Sequence, residues 1–348
     1  MAPASSAPPL VLCVGEALVD RLGPPGGDPA RDGPCDDRLG GAPANVACAL
    51  ARLGTASAFL GRLGRDATGE AFRQLFAERG VNTAALQLDA RRPSRIVLVR
   101  RDAHGERSFG GFAGDRGAGF ADQALAAEEL SAALGPLLAA ARWLLVGTIP
   151  LASPAAASAL QLALRKAAAA GVPLALDVNW RPTFWDPASD PARGPGPSER
   201  AAMEPLLRQA ALIKCAREEA EWLFGSADPA ALSAALPQRP AVLVSDGAAP
   251  LRWWLGGEAG ELPAFTAAVV DTTGAGDALM AGLLHGLVAD PRLLTPAAAG
   301  AAPAEGQAGA VRELMRFASA CGALVCQGAG AIDPQPTAAQ VATFLAAH

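Results

Sequence analysis

The sequence contains no tyrosine, only two lysines (Lys166 and Lys214) among its 29 basic residues, and no Gly-Lys pair at all. The last absence removes the phosphate-binding loop G-x-x-x-x-G-K-[ST] and the kinases built on it. The first strand candidate runs into Gly15-Glu16-Ala17 rather than G-x-G-x-x-G, which sets aside a dinucleotide oxidoreductase. No C-x-x-C occurs among Cys13, Cys35, Cys48, Cys215, Cys321 and Cys326, so the thiols read as reduced side chains of a cytoplasmic protein rather than a zinc site or a disulfide framework. No apolar run reaches the roughly 18 residues that span a bilayer; the alanine-rich stretch 155–170 is broken by Arg165 and Lys166. Residues 1–9 lack the basic and apolar regions of a secretory signal. Net charge is −5 with both signs interspersed, which leaves no basic stripe for a nucleic-acid backbone. A phosphorylated ligand must then be steered by local geometry. The scarcity of lysine and tyrosine beside abundant Ala, Gly, Pro and Arg is a genome-level bias and carries no function.

What the sequence does have is a long chain, 348 residues, of which 51% are hydrophobic, enough for a sizeable core. Short apolar runs alternate with helical segments. Strands are expected at 10–14, 55–60, 143–146, 173–178, 211–214 and 241–245, and helices at 44–53, 70–79, 155–170, 218–224, 275–288 and 311–326, with Gly54 and Gly80 as C-terminal caps. This order predicts an α/β fold with a mostly parallel sheet covered on both faces. Residues 21–38, rich in Gly, Pro and Asp, predict turns and an exposed excursion. Residues 94–100 alternate as a strand, with a hairpin turn at 102–105. These two regions break the α/β alternation and predict a small β appendage. Residues 187–197 and 295–309 are low in complexity and read as surface insertions.

Three motifs carry chemistry. Asp271-Thr272-Thr273-Gly274-Ala275-Gly276-Asp277 precedes an apolar helix. Small residues there permit a tight turn, and the helix start offers free amides and a positive dipole end to phosphate oxygens. Asp277 is then placed to take a proton from an attacking hydroxyl, or simply to stabilise the first helical turn. Gly40-Gly41-Ala42-Pro43-Ala44-Asn45 opens a second helix; Asn45 suits sugar hydroxyls, and it suits an ordinary helix entry as well. Asp20, in Gly15-Glu16-Ala17-Leu18-Val19-Asp20, lies past the carboxyl end of the first strand, where open α/β sheets bind ligands; the other reading is a turn residue.

Asp20, the 40–45 motif and the 271–277 motif, in this order and spacing, resemble the ribokinase-like (PfkB) sugar kinases, fructokinases most closely. Gly61-Arg62-Leu63-Gly64-Arg65-Asp66 matches the family's G-x-x-G-x-D element. Similarity runs from about residue 10 to 340. The resemblance implies a ribokinase-like three-layer α/β fold: a single kinase domain over 10–340, with a β-sheet lid formed by about 16–40 and 92–115. It implies an ATP-dependent kinase acting on a primary hydroxyl, most closely fructose to fructose 6-phosphate. Ribokinase or 2-keto-3-deoxygluconate kinase is the alternative within the family, and a non-catalytic PfkB-like regulatory protein the alternative outside catalysis.

Carried over residue by residue, the resemblance makes Asp277 the catalytic base and Gly274, Ala275 and Gly276 the anion hole. Asp20, Gly40, Gly41 and Asn45 hold the sugar. Asp177-Val178-Asn179-Trp180-Arg181 resembles D-x-N-x-R, which puts Asn179 and Arg181 near the sugar and phosphates. Lys214 approaches the nucleotide phosphates. Glu219 matches the Glu of N-x-x-E and acts on Mg²⁺ through waters, although Ala216 replaces the Asn. Ser245-Asp246-Gly247 resembles a nucleotide-binding turn, followed here by Ala248-Ala249-Pro250 instead of the usual glycines. Asp271 and the carbonyl of Thr273 match a monovalent-cation site, with K⁺ the candidate ion, that the 328–332 loop completes. On the lid, Gly114 stands where many fructokinases carry Arg, and Arg116 is the candidate substitute. The implied partners are a sugar and ATP, with a homodimer formed through the lid; no nucleic acid and no membrane is implied.

Overall fold

Val11 and Cys13 point into one hydrophobic core, while Leu12 and Val14 point into another. A strand buried on both faces has no polar alternation to show, which is why it reads as a continuous apolar run. The computed structural model describes residues 7–102, 107–294 and 307–348. Along the chain the strands are β1 (Val11–Val14), β2 (Leu18–Pro25), β3 (Asp36–Gly40), β4 (Ser57–Leu60), β5 (Arg62–Gly64), β6 (Gln87–Asp89), β7 (Arg95–Arg101), β8 (Arg107–Ala113), β9 (Trp143–Val146), β10 (Leu174–Asp177), β11 (Ala210–Ala216), β12 (Ala241–Ser245), β13 (Leu251–Leu255) and β14 (Glu258–Leu262).

Eight of them form one sheet in the order β14-β13-β12-β11-β10-β9-β1-β4. The six from β12 to β4 are parallel, and β13 and β14 close one edge as an antiparallel hairpin. The core on one face packs helices Ala42–Leu53, Ala275–Ala289 and Gln307–Val325; the other packs Ala127–Leu138, Pro154–Ala169 and Pro197–Gln209. This is the three-layer α/β arrangement expected. Because β4 and β9 flank β1 on opposite sides, the carboxyl ends around β1 form a switch point with an open crevice.

A separate four-stranded sheet, β3-β2-β7-β8, supplies residues to that crevice. Here the structure departs from the turn reading of residues 21–38. Both ends of that segment are strand, with Asp20 opposite Arg38 and Leu22 opposite Asp36, and Arg21 forks onto Asp37 at 2.6–2.7 Å. Pro24 and Pro25 sit at the end of β2, where a missing amide costs the ladder little. β7 and β8 pair antiparallel; of the hairpin turn expected between them, only Asp102 falls within the described residues.

Helix ends follow local chemistry. Gly54 and Gly80 take left-handed conformations at helix C-termini, and Asp66 accepts the Gly69 amide, so the second helix starts at Ala67, a turn before the expected position. The 187–197 stretch is tied down rather than free. Trp180 Nε1 donates to the Arg193 carbonyl at 2.7 Å, and Arg193 pairs with Glu199 at 2.8 Å. Most of the 295–309 stretch lies outside the described residues; its last three residues begin the helix Gln307–Val325. Among the described residues, no helix is long and apolar enough to cross a membrane.

Candidate active site

The crevice is a cavity of about 1000 Å³. Asp20, Gly41, Asn45, Asn179, Arg181, Lys214, Asp271, Thr273, Gly274, Gly276 and Asp277 all border it, so residues separated by more than 250 positions meet in one place. The small sheet contributes Val97, Val99 and Phe109 to its wall.

Gly274 is the N-cap of helix Ala275–Ala289, with φ 80° and no side chain to cap the helix. Of the first-turn groups, Gly276 and Asp277 border the cavity, whereas Ala275 does not and its amide donates to the Thr272 carbonyl at 3.3 Å. Glycine is required there twice over: the conformation is left-handed, and a Cβ would lie 2.5 Å from the Cβ of Ala331. Gly41, with φ 104°, is equally constrained, since a Cβ would lie 2.7 Å from the Glu16 carbonyl oxygen.

Asp277 accepts a hydrogen bond from Asn45 Nδ2 at 2.7 Å, which joins the two glycine motifs directly. Burial, with Asp177 nearby, pushes its carboxyl up to about 6, against the pull of Asn45, Lys214 and Arg181. Lys214 lies beneath the glycine turn: a Cβ on Gly276 would sit 3.1 Å from its Nζ. That ammonium donates to both oxygens of Asp177, at 2.9 and 2.8 Å. Burial opposes its charge, yet Asp177, helped by Asp277 and Glu219, holds its pKa above the usual lysine value. Asn179 takes a left-handed conformation, φ 41°, which asparagine tolerates better than most residues. Arg181 is exposed at the rim and donates to the Trp180 carbonyl at 2.8 Å.

Not every expected residue meets the cavity. Both carboxylate oxygens of Glu219 are engaged by main-chain amides, Trp180 at 2.6 Å and Ala216 at 2.7 Å. Burial nevertheless raises its pKa, against those two bonds. Glu219 thus ties the end of β11 to the segment after β10. Ser245 ends β12 and Asp246 and Gly247 follow it, all outside the cavity wall, and Asp246 pairs with Arg217 at 3.3 Å. Gly40 lies behind the wall, against Asp20. Asp271 Oδ1 accepts the amide and hydroxyl of Thr273 at 3.0 and 2.7 Å, and Oδ2 accepts the Gly330 amide at 2.9 Å, which binds the 328–332 loop to the glycine turn. Among the described residues, no group of three or more His, Cys, Asp or Glu forms a ready-made metal site. Arg116 is exposed and does not border the cavity.

Three participants had no role assigned in the sequence reading. Asp177 was visible only as the first letter of D-x-N-x-R. Glu16 borders the cavity and is 2% exposed. Arg95, 3% exposed, forks onto Asp122 at 2.9 and 3.2 Å and packs over Phe184, which borders the cavity. The signal for Glu16 was its place one residue past the strand-ending Gly15; Arg95 carried none.

Comparison with known proteins bears on this geometry. Residues 8–338 match the pfkB family carbohydrate kinase profile. The chain is 36% identical over 282 residues to a fructokinase of Klebsiella pneumoniae, covering 80% of this chain and 84% of that one. Among solved structures it superposes on the fructokinase with bound ATP from Xylella fastidiosa with a TM-score of 0.80 and 28% identity, covering 98% and 99% of the two chains. It also superposes on the fructokinase from Vibrio cholerae O395 in its fructose-, ADP- and calcium-bound form, with a TM-score of 0.74 and 29% identity over 97% and 99%.

Proposed function

The chain belongs to the pfkB carbohydrate kinase family and is an ATP-dependent sugar kinase, and from that premise we propose that D-fructose is its acceptor and Asp277 the base that activates it. One observation carries the catalytic assignment: the 2.7 Å bond from Asn45 to Asp277, at the first turn of a helix whose N-terminus no side chain caps. The fructose assignment rests on the relatives, several of which are named fructokinases at 31–36% identity.

In this reading the sugar lies between Asp20, Asn45 and Asp277. Asn45 fixes the Asp277 carboxylate so that its second oxygen is aimed at the primary hydroxyl. A base with a pKa of about 6 is ionised at neutral pH yet basic enough to share a proton in the transition state. The amides of the Gly274–Gly276 turn, with the ammonium of Lys214 beneath, stabilise charge on the transferring phosphoryl oxygens. Nothing in this arrangement needs covalent catalysis; positioning and charge complementarity do the work.

ATP fits the remainder of the cavity. Val269 and Val270, 62% and 64% exposed, offer the nucleobase an apolar surface. Mg²⁺ suits a site whose carboxylates are already engaged, because it keeps most of its waters and binds through phosphate oxygens. Asp177, which borders the cavity, would act on it through water, while Glu219 holds the Trp180 and Ala216 amides behind it. K⁺ would be held by Asp271, the Thr273 carbonyl and the 328–332 loop. The small sheet, residues 16–40 and 92–115, acts as a lid that excludes water. Its open edges, β3 and β8, are where a second copy would pair. A cytoplasmic location belongs to the same reading, supported by six cysteines that are all free.

The test is ADP release from D-fructose, D-ribose, adenosine and 2-keto-3-deoxygluconate. We expect the highest kcat/KM with D-fructose. A higher value with ribose or ketodeoxygluconate replaces the acceptor but keeps the base. ATP binding with no ADP release from any sugar makes the chain a non-catalytic member.

A further inference from the structure

Among the described residues, two buried polar atoms of the cavity border have no protein partner, Asn45 Oδ1 and Glu16 Oε2. Asn45 already has a role through its amide. Glu16 has none in the reaction as described, yet it occupies the turn between β1 and β2 beside Asp20, Gly41 and Asp277. Its Oε1 accepts the Ala42 amide at 3.2 Å, at the start of the helix whose first turn carries Asn45. Its main-chain carbonyl is the group against which Gly41 packs. A buried carboxyl oxygen left unpaired costs free energy that some partner must offset.

Resting on the sugar-kinase reading above, we propose that Glu16 is a further sugar-binding residue: Oε2 forms a hydrogen bond with a hydroxyl of the bound sugar while Oε1 keeps the Ala42 amide. The terminal torsion of a glutamate is shallow, and its two oxygens turn together, so a small rotation brings Oε2 towards the cavity while Oε1 stays within reach of that amide. The protonation state follows from the surroundings. Burial, with Asp122 and Asp277 adding to it, pushes the Glu16 carboxyl up to about 8, against the pull of the Glu16 and Ala42 amides. Four ionisable groups surround this corner. Asp20 comes from β2, Asp122 from the short turn Ala121–Ala124, Asp277 from the helix Ala275–Ala289, and Arg95 from β7. Arg95 does not neutralise Glu16, because its guanidinium is forked onto Asp122 and packed 4.5–4.8 Å from the ring centres of Phe112, Phe120 and Phe184. At neutral pH Glu16 is therefore a hydrogen-bond donor. Above about 8 it becomes a second negative charge beside Asp277, and sugar binding weakens.

The experiment is steady-state kinetics with D-fructose and ATP on the full chain from pH 6 to 10. Glu16→Ala raises the KM for D-fructose about five- to tenfold, the order expected for one lost neutral hydrogen bond, and leaves the KM for ATP within about twofold. Glu16→Gln can still donate and has no proton to lose. It recovers most of the D-fructose KM and removes the fall in kcat/KM that the wild type shows above pH 8. Should the Ala variant fail to fold, the pH profile of the Gln variant decides alone. The proposal is overturned if Ala leaves both KM values unchanged or raises them in parallel, if the wild type shows no alkaline fall, or if Gln retains it. A wild type that releases no ADP with any sugar is a separate outcome, and takes down the kinase reading itself.

Discussion

Lys214→Met removes the ammonium that Asp177 grips with both oxygens, and the consequences can be worked out in two directions. The side chains of the pair are 8% and 7% exposed, so water replaces little of what is lost. Breaking a buried pair from one side leaves an uncompensated charge and costs about 3–5 kcal/mol. For a chain of 348 residues, an unfolding entropy of about 2.1 cal/mol/K per residue gives about 0.7 kcal/mol/K, so the melting temperature should fall by about 4–7 °C. Scanning calorimetry or fluorescence-monitored melting reads this directly.

The second direction separates stability from catalysis. Replacing both members, Asp177→Leu with Lys214→Met, leaves an apolar pair of similar volume, which is often neutral for stability. The double variant should melt within about 2 °C of the wild type, because the charge stranded by the single change is gone. Activity should not return with it. The ammonium beneath Gly276 is still absent, and loss of one such electrostatic group costs about 10²–10³ in kcat. A Lys214→Met protein that melts with the wild type, or a double variant no more stable than the single one, refutes the reasoning.

Three further outcomes follow from the glycine turn and its aspartate. Asp277→Asn should lower kcat by about 10²-fold or more while leaving ATP affinity, measured by calorimetry, nearly unchanged. In the wild type, kcat/KM for D-fructose should fall on acidification through about pH 6, because a base whose pKa is raised to that value is active only when ionised above it. A limb centred near pH 4 would rule out the desolvated carboxyl. Gly274→Ala meets both a left-handed backbone and the Cβ of Ala331 at 2.5 Å; it should lower stability by about 1–3 kcal/mol and kcat with it, read by melting and ADP release. A variant with wild-type values in both would show the turn to be tolerant.

The parallel sheet was legible because its strands are short apolar runs between helices with glycine caps; β9 and β12 fall where the pattern puts them. The hairpin β13–β14 was missed although its signal was present: Gly256 and Gly257, both at positive φ, join two runs at the spacing of a two-residue turn. The runs hold Arg252 and Glu258 and Glu261, and their polarity masked an edge hairpin whose alternate residues Leu251, Trp253 and Leu255 are buried. Residues 21–38 failed for the opposite reason. Proline and glycine density outweighed the alternation that pairs β2 with β3, and the other partner of β2, β7, lies some 70 residues away, where no local pattern can report it.

The same division runs through the site. In the proposed reading the transfer end is made of main-chain groups at the start of one helix, and such groups are neighbours in sequence. Gly274, Ala275, Gly276 and Asp277 could therefore be read as a unit. The proposed sugar end is made of side chains, and these come from β2, β7 and the 182–185 segment. Arg95 illustrates the limit: nothing in Ser94-Arg95-Ile96 distinguishes a buried, ring-enclosed guanidinium from a solvated strand arginine such as Arg100. Meanwhile Arg116, the residue chosen by its spacing in the sequence, is exposed. Spacing along a chain reports neighbours only within one element. The acceptor of a sugar kinase is chosen where several elements meet, so the phosphoryl chemistry can be read from a motif while the identity of the sugar requires the fold.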